Sequence, residues 1–160
     1  MARRLRPVGL DFVTSAQVRL VFAAGLAAEP AAVYRALAVD TEGWTQWFRA
    51  VVSARPTDGG RRIGLIGGVR FAETVLEARP DERYVYRVDV TNVPSVKAMA
   101  EEWRITPLAS GGTRVQWTFA VDAPASVRVL LRYAHPGLGR AFRDAMCTLD
   151  RRLAVATATA

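Results

Sequence analysis

Glu101 is the residue in this 160-residue chain whose setting most clearly suggests chemistry. It falls in phase with Met99, Trp103 and Ile105, so a strand through this stretch turns it to the same side as three large apolar residues. An ionised carboxylate facing inward is costly unless paired, and burial raises its pKa toward the range that suits a general acid or base. The alternative is a carboxylate at the sheet rim in contact with water, or a bulge that flips the strand. Glu73 carries the same ambiguity beside Phe71 and Val75. Tyr84 and Tyr86 alternate on one strand face, and a buried phenol needs a hydrogen-bond partner, which a ligand carbonyl could supply. His135, the sole histidine, has an unperturbed pKa near neutrality and precedes a helix-breaking proline. It reads either as an exposed loop residue or as a proton carrier at a cavity mouth. Glu101, Tyr86 and His135 are the candidate catalytic residues.

The elements that must position them follow from periodicity. Leu138, Phe142, Ala145, Met146, Leu149 and Leu153 recur at three- and four-residue steps, which predicts a long amphipathic helix from Gly137 to about Val155. A shorter helical stretch from Ser126 to Ala134 precedes it, and His135-Pro136-Gly137 is expected to break or kink the chain between them. Residues 1–11 read as a mobile arm, and a first strand is predicted through Phe12, Ala16, Val18, Leu20 and Phe22. Two short helices follow. One opens at Glu29-Pro30 with Val33, Tyr34 and Leu37 on one face, and the other carries Trp44, Trp47 and Phe48. About six further strand segments then follow, separated by turns at Pro56–Gly60, Gly67-Gly68, Arg79–Glu82 and Ser110–Gly112 and by Asn92-Val93-Pro94. The tail 156–160 is low-complexity and expected to fray.

This order predicts an α+β fold with helices on one face of a bent antiparallel sheet. The gripping face would carry Tyr84, Tyr86, Val88, Met99, Trp103, Ile105, Val115, Trp117 and Phe119. Such a set lines a pocket or simply packs a core. Tyr84, Val88, Met99, Trp103, Trp117 and Phe119, with Phe142 and Met146 from the helix, are the candidate ligand-binding residues.

Composition sets bounds. A hydrophobic content of 51% suits a folded domain, and no apolar run approaches the ~20 residues of a membrane span. One cysteine and one histidine cannot build a multi-cysteine metal site or a zinc centre unaided, so neither metal nor other cofactor is expected. The basic start lacks a following apolar stretch, which argues against a signal peptide and for a cytoplasmic location. The net charge of +7 rests almost wholly on scattered arginines without a nucleic-acid-binding motif, so it reads as solvated surface. A basic rim could also attract an anionic ligand or an acidic carrier protein.

The run Ala28-Glu29-Pro30-Ala31-Ala32-Val33-Tyr34 with Asp40, Trp44 and Trp47 resembles the opening of the START-like, or SRPBCC, superfamily in its polyketide cyclase/dehydrase branch. Residues 74–86 and the run Gly111-Gly112-Thr113-Arg114-Val115-Gln116-Trp117 are similar to its central hairpins, and the resemblance covers roughly residues 12 to 155. It implies the helix-grip fold, in which a curved antiparallel sheet of about seven strands wraps the last helix around an apolar cavity. Members of that superfamily include aromatase/cyclases, lipid and sterol carriers, hormone receptors and chaperone activators. The first expectation is therefore a protein that binds an aromatic or polyketide-like molecule and promotes aldol cyclisation with loss of water. The others are a non-catalytic carrier or sensor of lipids or apolar metabolites, and an interaction module using the outer sheet face. An acidic residue inside the cavity near a tyrosine favours the enzyme.

Overall fold

A computed structural model describes residues 1–158. The helix-grip arrangement is present. The strands are β1 (Arg3–Arg4), β2 (Val18–Leu26), β3 (Val51–Thr57), β4 (Gly60–Leu65), β5 (Arg70–Arg79), β6 (Arg83–Thr91), β7 (Ala98–Pro107) and β8 (Thr113–Asp122). Among the described residues they form one antiparallel sheet in the order β2-β8-β7-β6-β5-β4-β3, with β1 paired to β6 off that path. The helices are α1 (Phe12–Ser15), α2 (Pro30–Tyr34), which runs on into a π turn over Arg35–Val39, α3 (Trp44–Trp47) and α4 (Ala125–Ala158).

Period-two alternation explains the concave face. Tyr84 pairs with Trp103, Tyr86 with Glu101, Trp103 with Trp117 and Ile105 with Val115, so these side chains share one face across β6, β7 and β8. Phe142, Ala145, Met146 and Leu149 of α4 close over them, together with Trp44, Trp47 and Phe48 of the α3 region. The amide N–H of Ala28 donates to Asp150 at 3.0 Å, and Arg152 donates to Gln46, tying α4 to the segments before α2 and within α3. No helix among the described residues is long and apolar enough to cross a membrane.

Three local expectations are corrected. Helix α4 is continuous for 34 residues with Pro136 inside it. Val127 and Leu131 before the proline and Leu138 and Phe142 after it all pack on the core, so tertiary contacts hold both halves in one helix despite the lost donor. Phe12 lies in the helical turn α1 rather than in a strand, because it and Val13 pack on the outer sheet face against Val85, Ala98, Ala100 and Ala120. That part of the outer face is thus already covered.

The first eleven residues, expected as a mobile arm, are held. Strand β1 adds to the end of β6, the backbone N–H of Leu5 donates to the carbonyl of Asp89 and that of Arg6 to the carbonyl of Lys97, and the Arg3 side chain donates to the carbonyls of Val93 and Val96. The segment therefore fills the gap where β6 and β7 diverge, and Leu5 and Val8 are buried. At the other end, the helix reaches Ala158 in the tail expected to fray, and positions 159 and 160 lie outside the described residues. Truncating Leu5→Ala is expected to lower stability by about 2–4 kcal/mol in a urea melt. A free arm would leave the midpoint unchanged.

Candidate functional site

The site starts with two strand faces meeting. Arg61, Ile63 and Leu65 point inward from β4, and Phe71, Glu73 and Val75 from β5, with Arg61 directly opposite Glu73. Nε of Arg61 donates to Oε2 of Glu73 at 2.5 Å, and each side chain is only 2% exposed. Gly60 permits this close start of β4, since a Cβ there would lie 1.9 Å from the carbonyl oxygen of Glu73. The Arg61 guanidinium lies over the Trp44 ring at 3.9 Å and the Tyr86 ring at 4.2 Å. Burial opposes its charge, but Glu73, Tyr86 and Tyr84 more than offset that and leave its pKa above the ordinary value. Burial pushes the Glu73 carboxyl up, and Arg61 pulls it back. An arginine stays protonated throughout, and its Nε meets Oε2 at 2.5 Å, the geometry of a buried ion pair.

Glu101 sits beside this pair on β7. Its Oε2 accepts from the Tyr86 hydroxyl at 2.7 Å and from Nε1 of Trp117 at 2.8 Å. Nε1 of Trp103 in turn donates to the Tyr86 hydroxyl at 3.0 Å. Both donors fall on Oε2, and among the described residues Oε1 accepts no hydrogen bond. The titrating proton therefore belongs to Oε1. Burial, followed by repulsion from Glu73, pushes the Glu101 pKa up to about 7, against the opposing pull of the bonds from Tyr86 and Trp117 and of the Arg61 charge. Burial, reinforced by the Glu101 charge, raises the Tyr86 phenol well above its usual range, so it remains a neutral donor.

These groups border a cavity of about 190 Å³ between β3–β8, α3 and α4. Trp44, Phe48, Ile63, Phe71, Leu138 and Ala141 supply its apolar walls, and Arg61, Glu73, Tyr86 and Glu101 its polar ones. Among the described residues, no group of His, Cys, Asp or Glu is placed to hold a metal ion.

Of the residues expected from sequence, Glu101, Tyr86, Trp117 and Phe119 border the cavity. Tyr84, Trp103, Phe142 and Met146 do not; they are buried in the aromatic packing that closes one end of the grip, where Trp103 stacks on Trp117 at 5.5 Å and Phe142 stacks on Trp117 at 6.0 Å. Val88 and Met99 pack farther along with Leu5, Val96 and Val121. His135 is exposed on the unbroken helix with its ring 4.9 Å from Phe22 of β2, and it takes no part in the cavity. Without the expected break, nothing turns it toward Glu101. Arg87 and Arg104 pair away from the inward carboxylates, Arg87 with Asp89 and Arg104 with Glu102. The partner is Arg61, half of a doublet that reads as surface charge. Its phase with Ile63 and Leu65 was the available signal.

Comparison with known proteins agrees with this architecture. The sequence pattern of the family described as polyketide cyclase / dehydrase and lipid transport matches residues 17–154. The uncharacterized protein Rv2574 of Mycobacterium tuberculosis is 28% identical over 151 residues, spanning 90% of this chain and 89% of that one. A START superfamily protein from Mycobacterium smegmatis superposes with a TM-score of 0.61 at 15% identity, covering 82% of this chain and 98% of that chain. The protein XoxI from Bacillus cereus gives a TM-score of 0.66 at 13% identity, covering 86% and 96%. These two structural likenesses show the shared fold.

The Glu101 pKa has a thermodynamic consequence. A carboxyl raised from its ordinary 4.5 to about 7 on folding binds more protons in the native state between those values. Its contribution is fully present below the lower value and is lost as pH rises through the upper one, on the order of 3 kcal/mol in all. Wild-type unfolding free energy is expected to fall from about pH 5 to pH 8 in urea titrations, and Glu101→Gln to remove that part of the slope. Parallel profiles for the two proteins would contradict the raised pKa.

Proposed function

We propose that this chain, which belongs to the polyketide cyclase / dehydrase and lipid transport family, binds a small aromatic or polyketide-like molecule beneath α4 and promotes its cyclisation with loss of water. The family supports the binding of a hydrophobic ligand in general. The observation that carries the finer reading is Glu101: a buried carboxyl with pKa about 7, gripped at Oε2 and with Oε1 left to the cavity. A group poised near the working pH serves as base in one half-reaction and acid in the next.

The steps balance on that one oxygen. Ionised Glu101 takes a proton from a carbon next to a carbonyl, and the resulting enolate attacks a second carbonyl of the same chain to form the carbon–carbon bond. The new alkoxide takes the proton back from Oε1. In the elimination Glu101 removes a second proton from the nucleophilic carbon, the hydroxyl leaves with the carbon–oxygen electron pair, and the proton on Oε1 completes a water molecule. Tyr86 and Trp117 hold the carboxylate in place, and the apolar walls bring the reacting carbons together by orientation. The volume sets a size limit. About 150 Å³ accommodates benzene, so 190 Å³ suits one ring or a chain folding into one rather than a polycyclic product.

A non-catalytic carrier of apolar metabolites is the second reading, favoured by the mostly apolar walls. Native mass spectrometry of the purified protein, followed by release and identification of any bound molecule, separates the two. A ring-sized aromatic or polyketide is expected; a fatty acid or phospholipid would support the carrier. Turnover is then tested on heptane-2,4,6-trione, whose ring closure with loss of one water gives a single-ring diphenol. Glu101→Gln is expected to lose about 10²–10⁴-fold in kcat, while His135→Ala retains wild-type activity. Undiminished turnover in Glu101→Gln would overturn the assignment.

A further inference from the structure

Arg61 is buried, and its Nη1 has no hydrogen-bond partner although the side chain borders the cavity. Nε is already committed to Glu73, and the faces of the guanidinium are covered by Trp44 and Tyr86. A buried guanidinium N–H without an acceptor is uncommon, because its water has been removed and nothing has replaced it. Trp47 Nε1 and Thr118 Oγ1 share that condition, but neither residue borders the cavity. Among the described residues only Nε of Arg61 is bonded, so the guanidinium is the charged group bordering the cavity with N–H donors left for a ligand.

We propose that the cavity takes the oxyanion of a small apolar organic acid, a carboxylate or an enolised diketone, with that oxygen bound by the Arg61 guanidinium and a proton held on Glu101. This rests on the reading that the cavity binds a ligand. It adds to that reading the chemical class of the ligand and the residue that selects it.

Charge balance links the two halves of the proposal. Arg61 and Glu73 cancel, so with Glu101 ionised the site carries a net negative charge that repels an anion. With Glu101 protonated the site is neutral, and the incoming oxyanion restores one negative charge next to a guanidinium with unpaired N–H donors. The groups facing Glu101 are Tyr86 from β6, Trp117 from β8, Arg61 from β4 and Glu73 from β5. The helices contribute Trp44, Leu138 and Ala141, with Phe48 just beyond α3, and none of these titrates in the working range. Anion binding therefore takes up a proton, and affinity for a fully ionised acid rises as pH falls through the Glu101 transition.

Isothermal titration calorimetry with three ring-sized probes tests this: phenylbutyrate, benzoylacetone and the neutral ketone butyrophenone. At least one acidic probe is expected to bind roughly tenfold to a hundredfold more tightly than butyrophenone, the scale of one charge-assisted hydrogen bond. Preference for phenylbutyrate identifies a carboxylate, and preference for benzoylacetone, with the enolate absorption band appearing on binding, identifies an enolate. For phenylbutyrate, which stays ionised across the window, affinity is expected to increase from about pH 8 to pH 6 in the wild type and to be flat in Glu101→Gln. The paired variant Arg61→Gln with Glu73→Gln removes the preference without leaving one buried charge alone. Should that variant not fold, the comparison of probes on the wild-type protein decides alone. Equal binding of all three, independent of pH, overturns the oxyanion site and leaves the cavity reading standing. No binding of any of them overturns both.

Discussion

The buried ion pair between Arg61 and Glu73 is the constraint to which the interior answers. Withdrawing two charges from water is expensive, and the mutual attraction repays it only with close geometry and further polar contact. The structure supplies both: a direct contact across β4 and β5, with the guanidinium set between the faces of Trp44 and Tyr86. Replacing a partner would strand a charge in an aromatic wall. The arrangement is met only in the register of β4 on β5 that sets Arg61 opposite Glu73.

The same pair sets the chemistry of its neighbour. Glu101 feels burial first and the Glu73 carboxylate second, and both favour its protonated form, while Tyr86, Trp117 and Arg61 oppose. The balance lies near neutrality because these influences come from four different strands. Trp103 donates to Tyr86, and Tyr86 and Trp117 donate to a single carboxylate oxygen of Glu101, so orientation and protonation are governed by one network.

Aromatic packing decides how much of the grip remains open. Trp103, Trp117 and Phe142 fill one end against α4, and the space left lies toward β3–β5 and α3, where smaller apolar groups and the charged residues stand. At the far end of β6 and β7, the first residues of the chain close the divergence of the strands, and Phe12 and Val13 cover the outer face behind it. Both sides of the central strands are therefore buried where the carboxylate network is anchored.

Alternation alone determined a good deal of this. The phase of Glu101 with Met99, Trp103 and Ile105 put it on the apolar side of its strand, and the succession of turns and strands before one long amphipathic helix specified the curved sheet around it. These features depend on neighbours a few residues away, which periodicity records. The rest depends on contacts between distant segments. A two-residue turn at Gly67-Gly68 would pair Glu73 with Arg62, whereas the turn over Ile66–Gly68 shifts the register by one and presents Arg61 instead. Pro136 stays within a helix because both flanking turns are packed, and so His135 never reaches the cavity. The basic leader is ordered because β6 and β7 part and leave backbone groups to be paired. Local pattern thus determined which faces are buried, and only the folded sheet, by register and by the space its aromatics leave, decided which buried groups meet.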